Sequence, residues 1–207
     1  MKLRQACAVT TLAGLVVALQ AAPSLAQRPG KPFQSPLKNF TVTVPESPFG
    51  TTVTKRNSKD EGTVSFILGT GDASRIDYMR LPRGGPLLTG DEQQAGYERM
   101  LKGLVESNPS SVIVVQKEYV LDNIPMLFAI VAFPGGSHLM EQRTRKHFDS
   151  TRGLLFFVRS GFVYVLHDEL VASVFDLGKE PKLVSSEELT TRAERSLPEL
   201  YRSITFR

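Results

Sequence analysis

The run Ile124–Phe133, IPMLFAIVAF, constrains this chain more than any other stretch. It holds no charge, yet it is about half as long as a membrane-spanning helix must be. Asp122-Asn123 just before it tolerates positive φ and suits a two-residue hairpin back to SVIVVQKEYVL. A strand apolar on both faces has to be covered on both faces, so the reading predicts it in the middle of an antiparallel sheet.

The rest of the chain supplies the remaining layers. NFTVTVP alternates, with Phe40, Val42 and Val44 on one side. GTTVTKR, GTVSFILGT and RIDYMRL are short β-rich runs divided by Gly, Asn or Asp, and GLLFFVRSGFVYVLHDE is a hairpin turning near Ser160-Gly161. Between them the period changes. Thr89 and Glu92 have the spacing of a capping box, and Tyr97, Met100, Leu101, Leu104 and Val105 form a helical stripe that Asn108-Pro109 stops. A second box, Ser185 and Glu188, opens a closing helix with Leu189, Ala193, Leu197, Leu200 and Ile204 on one face. Pro198 removes a backbone donor there, which predicts a kink or a split. Segregated strands and helices predict an α+β fold, an antiparallel sheet of about six to eight strands covered by an internal and a C-terminal helix.

Residues 1–26 read as an export signal. Lys2 and Arg4 precede the apolar stretch Ala8–Leu19, and Ser24-Leu25-Ala26 places small residues for cleavage after Ala26. Cys7, the only cysteine, lies ahead of the apolar stretch, so the mature chain has no thiol, no disulfide and no lipid-accepting cysteine at its start. Residues 27–38, with three prolines and one glycine, read as a flexible leader to a single domain over 39–207. Cleavage removes two of the 25 Lys and Arg and none of the 21 Asp and Glu, leaving a net charge of +2. So weak a charge, sparse aromatic interleaving and export together exclude nucleic acid as a partner. The address is the periplasm or the exterior, with no transmembrane segment left after signal removal.

Four pieces, FTVTVP, VLDNIPMLFAI, LLFFVRSGFVYVL and the terminal helix running into SITF, give the chain a resemblance to the extrinsic photosystem II protein PsbP and its bacterial relatives, including DcrB-like periplasmic lipoproteins. The resemblance implies an α/β/α sandwich acting as a non-catalytic binding or assembly module. It transfers no catalytic motif, and the chain departs from the lipoproteins in lacking their cysteine.

Catalytic signatures are few. There is no Gly-x-Ser-x-Gly elbow, and the glycines of LGTGDAS and RGGP have neither phosphate-loop nor dinucleotide spacing, so no cofactor is expected. His138, His147 and His167, with carboxylates close by in sequence, are the alternative reading, a zinc-type hydrolase. The connection FPGGSHLMEQRTRKHFDS carries Arg143, Arg145 and Lys146, with Arg152 just beyond it. These four basic residues are the candidate contact for an envelope protein or an anionic envelope polymer, because binding residues concentrate on loops held by a rigid scaffold.

Overall fold

A computed structural model describes residues 30–47, 49–68, 72–82, 89–140, 144–171, 173–174, 182–183 and 185–207. The export signal over 1–26 with its cleavage site, and the basic residue Arg143, lie outside the described residues.

Seven antiparallel strands form the main sheet: β3 (Thr51–Asn57), β4 (Glu61–Leu68), β5 (Ala73–Arg80), β6 (Val112–Leu121), β7 (Ile124–Phe133), β8 (Ser150–Arg159) and β9 (Phe162–Val171). Their order is β3-β4-β5-β9-β8-β7-β6. A small three-stranded sheet joins β1 (Pro32–Gln34), β2 (Phe40–Thr43) and β12 (Ile204–Phe206), and β10 (Ser173–Val174) pairs with β11 (Lys182–Leu183). Helix α1 (Gly90–Glu106) packs on one face of the main sheet and α2 (Ser186–Arg202) on the other. The architecture is α+β, with the sheet between its two helices.

The local signals act where they stand in the chain. Thr89 Oγ1 accepts from the Glu92 N–H while the Glu92 carboxylate accepts from the Thr89 N–H, so both ends of the box close at the start of α1. Asp122 and Asn123 have φ of 52° and 61°, the pair of left-handed residues that a tight β6–β7 turn requires. Ser160 and Gly161, at 51° and 75°, do the same between β8 and β9.

Period-two alternation then divides the core. Met126, Phe128 and Ile130 of β7, with Leu155 and Phe157 of β8, face α2 and the small sheet. Leu127, Ala129, Val131 and Phe133, with Leu154 and Phe156, face Tyr97 and Leu101 of α1. Phe157 and Tyr164 stack at 5.1 Å between ring centroids, and Phe40 and Tyr201 meet these rings edge-on. Buried Asn39 donates to the Tyr164 hydroxyl at 3.0 Å, tying the small sheet to this cluster.

Four expectations are corrected. β7 is covered on both faces, as read, but it lies second from the edge; the central strand is β9. Two-sided burial follows from which strands the helices overlie, not from rank in the sheet. Part of the supposed flexible leader is a strand: β1 pairs with β2, and Phe33 and Leu37 pack on the core. α2 is not split at Pro198 and continues as one helix to Arg202, held by a face buried from Leu189 to Tyr201. Ile204 belongs to β12 rather than to the helix, although it joins the same core.

α2 comes close to the sheet over Gly153. A Cβ at this position would lie 2.7 Å from the Ala193 Cβ and 3.1 Å from Leu197 Cδ1. Gly153→Val should therefore destabilise the protein by about 1–3 kcal/mol, the usual range for overpacking, measured by urea unfolding. Beside it, Asp168 is buried and accepts from Ser74 and Ser196. Burial pushes its carboxyl pKa up despite these hydrogen bonds. The ionised form is thus disfavoured in the folded state, so Asp168→Asn should raise the melting temperature at pH 8 and leave it unchanged at pH 3.

Candidate functional site

α1 covers only the β6–β8 side of its face. Along β9, Val163 and Val165 face this side, and the next two residues in the same register are His167 and Glu169. Cross-strand pairing sets Arg75 opposite His167, Asp77 opposite Val165, and Arg152 opposite Glu169. Directly opposed residues share a face, so three strands bring two arginines, two carboxylates and an imidazole together beyond the helix.

The connection between β7 and β8 folds over this patch. Gly135, at φ 64°, turns the chain, and paired backbone bonds between Ser137 and Phe148 and between Phe148 and Leu139 double it back on itself. Ser137 becomes buried and His138 points inward. Glu169 organises the loop: its Oε1 accepts from Ser137 Oγ at 2.7 Å, from the His138 N–H at 2.9 Å and from His138 Nδ1 at 3.0 Å. Arg152 donates through Nη2 to the Gly136 carbonyl, approaches Glu169 Oε2 at 3.8 Å, and lies 4.7 Å over the Phe133 ring. Burial lowers the pKa of its guanidinium, and the charge of Glu169 opposes the shift.

On the other side Asp77 accepts from Thr63 Oγ1 and from Arg75 Nε, each at 2.7 Å. His167 Nε2 lies 2.9 Å from Asp77 Oδ2, a close contact without the alignment of a full hydrogen bond. Burial by itself would raise the Asp77 carboxyl; the hydrogen bonds and charges of His167 and Arg75 outweigh it and hold the group well below the usual carboxylate range. Burial lowers the His167 pKa, Asp77 opposing, so the ring is neutral at pH 7.

Between the two clusters is a cavity of about 180 Å³ lined by His138, Arg152, His167, Glu169, Arg75 and Ser65, among others. Four buried polar atoms of these residues have no hydrogen-bond partner in the protein: Arg152 Nε, His138 Nε2 and both ring nitrogens of His167, of which Nε2 is the one close to Asp77.

The residues singled out from the sequence are placed unequally. His138 and His167 line the cavity, whereas His147 is exposed, with Nδ1 2.7 Å from the Ser137 carbonyl. Among the described residues no group of three His, Cys, Asp or Glu is arranged to hold a metal ion. Arg145 and Lys146 are exposed on the doubled-back loop, while Arg152 stands apart from them on β8. Arg75 and Asp77 had no signal of their own. They are the polar half of an alternating strand, and only pairing with β9 sets them beside His167.

No family model matches the chain, and no curated protein does. A solved structure does: the solution structure of cyanobacterial PsbP (CyanoP) from Synechocystis sp. PCC 6803 superposes with a TM-score of 0.51 over 91% of this chain and 99% of that one, at 7% identity. The fold is PsbP-like. At that identity the likeness extends to the backbone and leaves the cavity to be read from this chain's own residues. No helix among the described residues is long and apolar enough to cross a membrane.

The lowered pKa of His167 has a sign. As pH falls through the ordinary histidine value of ~6.5, the unfolded chain takes up a proton that folded His167 declines, so stability falls. Asp77 adds to this further down, its stabilisation being lost as pH drops below the usual carboxylate value. Urea unfolding from pH 7.5 to 5.5 should show wild type losing more stability than His167→Asn, by up to about 1.4 kcal/mol per pH unit. Equal slopes would mean that His167 titrates normally.

Proposed function

We propose that the chain is an exported, non-catalytic binding domain of the cell envelope, and that its ligand enters the cavity between β5, β8, β9 and the β7–β8 loop. The cavity itself carries the reading: Arg75, His138, Arg152, His167 and Glu169 gather around one space of about 180 Å³, held there by the hydrogen bonds of Asp77 and Glu169. Export rests on the signal-like features of residues 1–26.

A binding role fits the site better than hydrolysis. Ser137, the serine next to His138, commits its hydroxyl proton to Glu169 and accepts from the Leu139 N–H. It is therefore not poised as a nucleophile on either histidine. The metal-dependent alternative takes three imidazoles, or two with a carboxylate; His147 is held by a carbonyl on the outside of the loop, and among the described residues no such group is arranged around an ion. Arg145 and Lys146, exposed on that loop, supply a secondary contact for an acidic protein face or an anionic envelope polymer.

Affinity capture from the native envelope, with the small-molecule and macromolecular fractions kept separate, tests this reading. Wild type should retain a component that Arg152→Lys loses at unchanged circular dichroism. Arg145→Glu/Lys146→Glu should weaken retention by a few fold at low salt and much less at high salt. Equal retention by wild type and Arg152→Lys would mean that the retained component does not bind in the cavity. Retention of nothing by wild type would overturn the binding role.

A further inference from the structure

The two ends of the main sheet are not alike. At one end the β6 ladder is interrupted by a register shift between Ile113 and Val115, and Lys117 is tied to Glu194 of α2 at 2.6 Å. Irregular ladders at an edge discourage pairing with another strand. At the other end β3 is regular, all seven of its residues pairing in unbroken register with Leu68–Gly62 of β4. It is the last strand in the sheet order among the described residues. Every second residue therefore turns a backbone N–H and C=O outward, away from β4. Thr51, Thr52, Val53 and Thr54 are β-branched and suit such a ladder. β3 adds nothing to either half of the core, and its residues from Thr52 to Asn57 are exposed.

Charge narrows what can pair there. Elsewhere on the main sheet each basic side chain has a polar partner: Arg75 has Asp77, Arg80 has Asp60, Lys117 has Glu194, Arg152 has Glu169, and Arg159 has the Tyr201 hydroxyl. Lys55 and Arg56 of β3 have none among the described residues. Being adjacent, they stand on opposite faces of the strand. Arg56 pairs across with Thr63 on the α1 side, where it lines an open groove of about 520 Å³ with Arg75, Met79 and Met100. Lys55 pairs across with buried Val64 on the other side. A second copy of this chain fits the edge poorly. Symmetric pairing would gather Lys55 and Arg56 of both copies at one seam, and β3 has no carboxylate to meet them.

We infer that β3 is a docking strand for an extended acidic segment of a partner protein, which adds to the sheet and sets two consecutive carboxylates against Lys55 and Arg56. Main-chain hydrogen bonds supply the affinity in this mode, and side chains on the two faces supply the selectivity. The acids must be consecutive because opposed residues share a face while neighbours along a strand alternate. This contact goes beyond the cavity and does not depend on it.

Fluorescence polarisation on the full chain tests it with labelled synthetic peptides rich in threonine and valine. One carries two adjacent glutamates at its centre, one the same glutamates separated by a single residue, and one two adjacent glutamines. Adjacent glutamates should bind tightest, about five-fold over glutamines at low salt, with the margin shrinking at high salt. Lys55→Glu/Arg56→Glu should lose that margin and gain binding to a peptide with two adjacent lysines, at unchanged circular dichroism. On binding, alternate backbone amides of Thr51–Asn57 should become protected from hydrogen exchange, an effect that charge attraction alone does not produce. Adjacent glutamates binding no better than separated ones, or no better than glutamines, would overturn the inference. So would peptide binding that leaves the β3 amides unprotected, or no binding by any peptide. Protection of those amides before peptide is added would overturn it as well: in a dimer by sedimentation the occupant is a second copy, and in a monomer another segment of this chain.

Discussion

The structure depends on how one seven-stranded sheet is covered. On the α2 face, the helix and the three-stranded sheet together blanket the strands with aromatic and aliphatic side chains. On the other face α1 reaches only β6 to β8 and the start of β9. Strands passing beneath both regions must change character along their length, apolar under the helix and polar beyond it. β9 does so between Val165 and His167, and β8 between Leu154 and Arg152. The cavity exists because the apolar layer stops there and a polar loop takes over.

Placing ionised groups on central strands is costly unless each is paired and hydrogen-bonded. Here the pairing is nearly complete on the protein side. Asp77 collects Thr63, Arg75 and His167, and Glu169 collects Ser137, the His138 backbone and the His138 ring. The Glu169 network ties the loop to the sheet. Between the two networks lies the cavity, lined by Arg75, His138, Arg152 and His167 among others.

Much of the fold was legible because its signals are local. Thr89 and Glu92 are three residues apart, Asp122-Asn123 are adjacent, and the stripe from Leu189 to Leu200 lies on one helix. Where the reading failed, the deciding partner was remote. Pro32–Gln34 looks like a linker until β2 pairs with it, and Pro198 looks like a break until a buried face outweighs one missing hydrogen bond. Within the site, His138 and His167 were legible as residue types, but not their orientation, and Arg75 and Asp77 were not legible at all. Arg152 was read as part of a basic loop surface and is a desolvated sheet residue instead.

The sequence by itself determined the α+β class, the hairpins, both helix starts and the division of each strand into two faces, because alternation and capping act over a few residues. Tertiary structure alone decided that β9 is the central strand, that α1 stops short of His167, and that the β7–β8 loop folds back over Glu169. Those outcomes set Arg75, His138, Arg152 and His167 around one cavity although they are spread along more than ninety residues of chain. Register between distant strands follows from the packing of the whole sheet, and no local pattern encodes it.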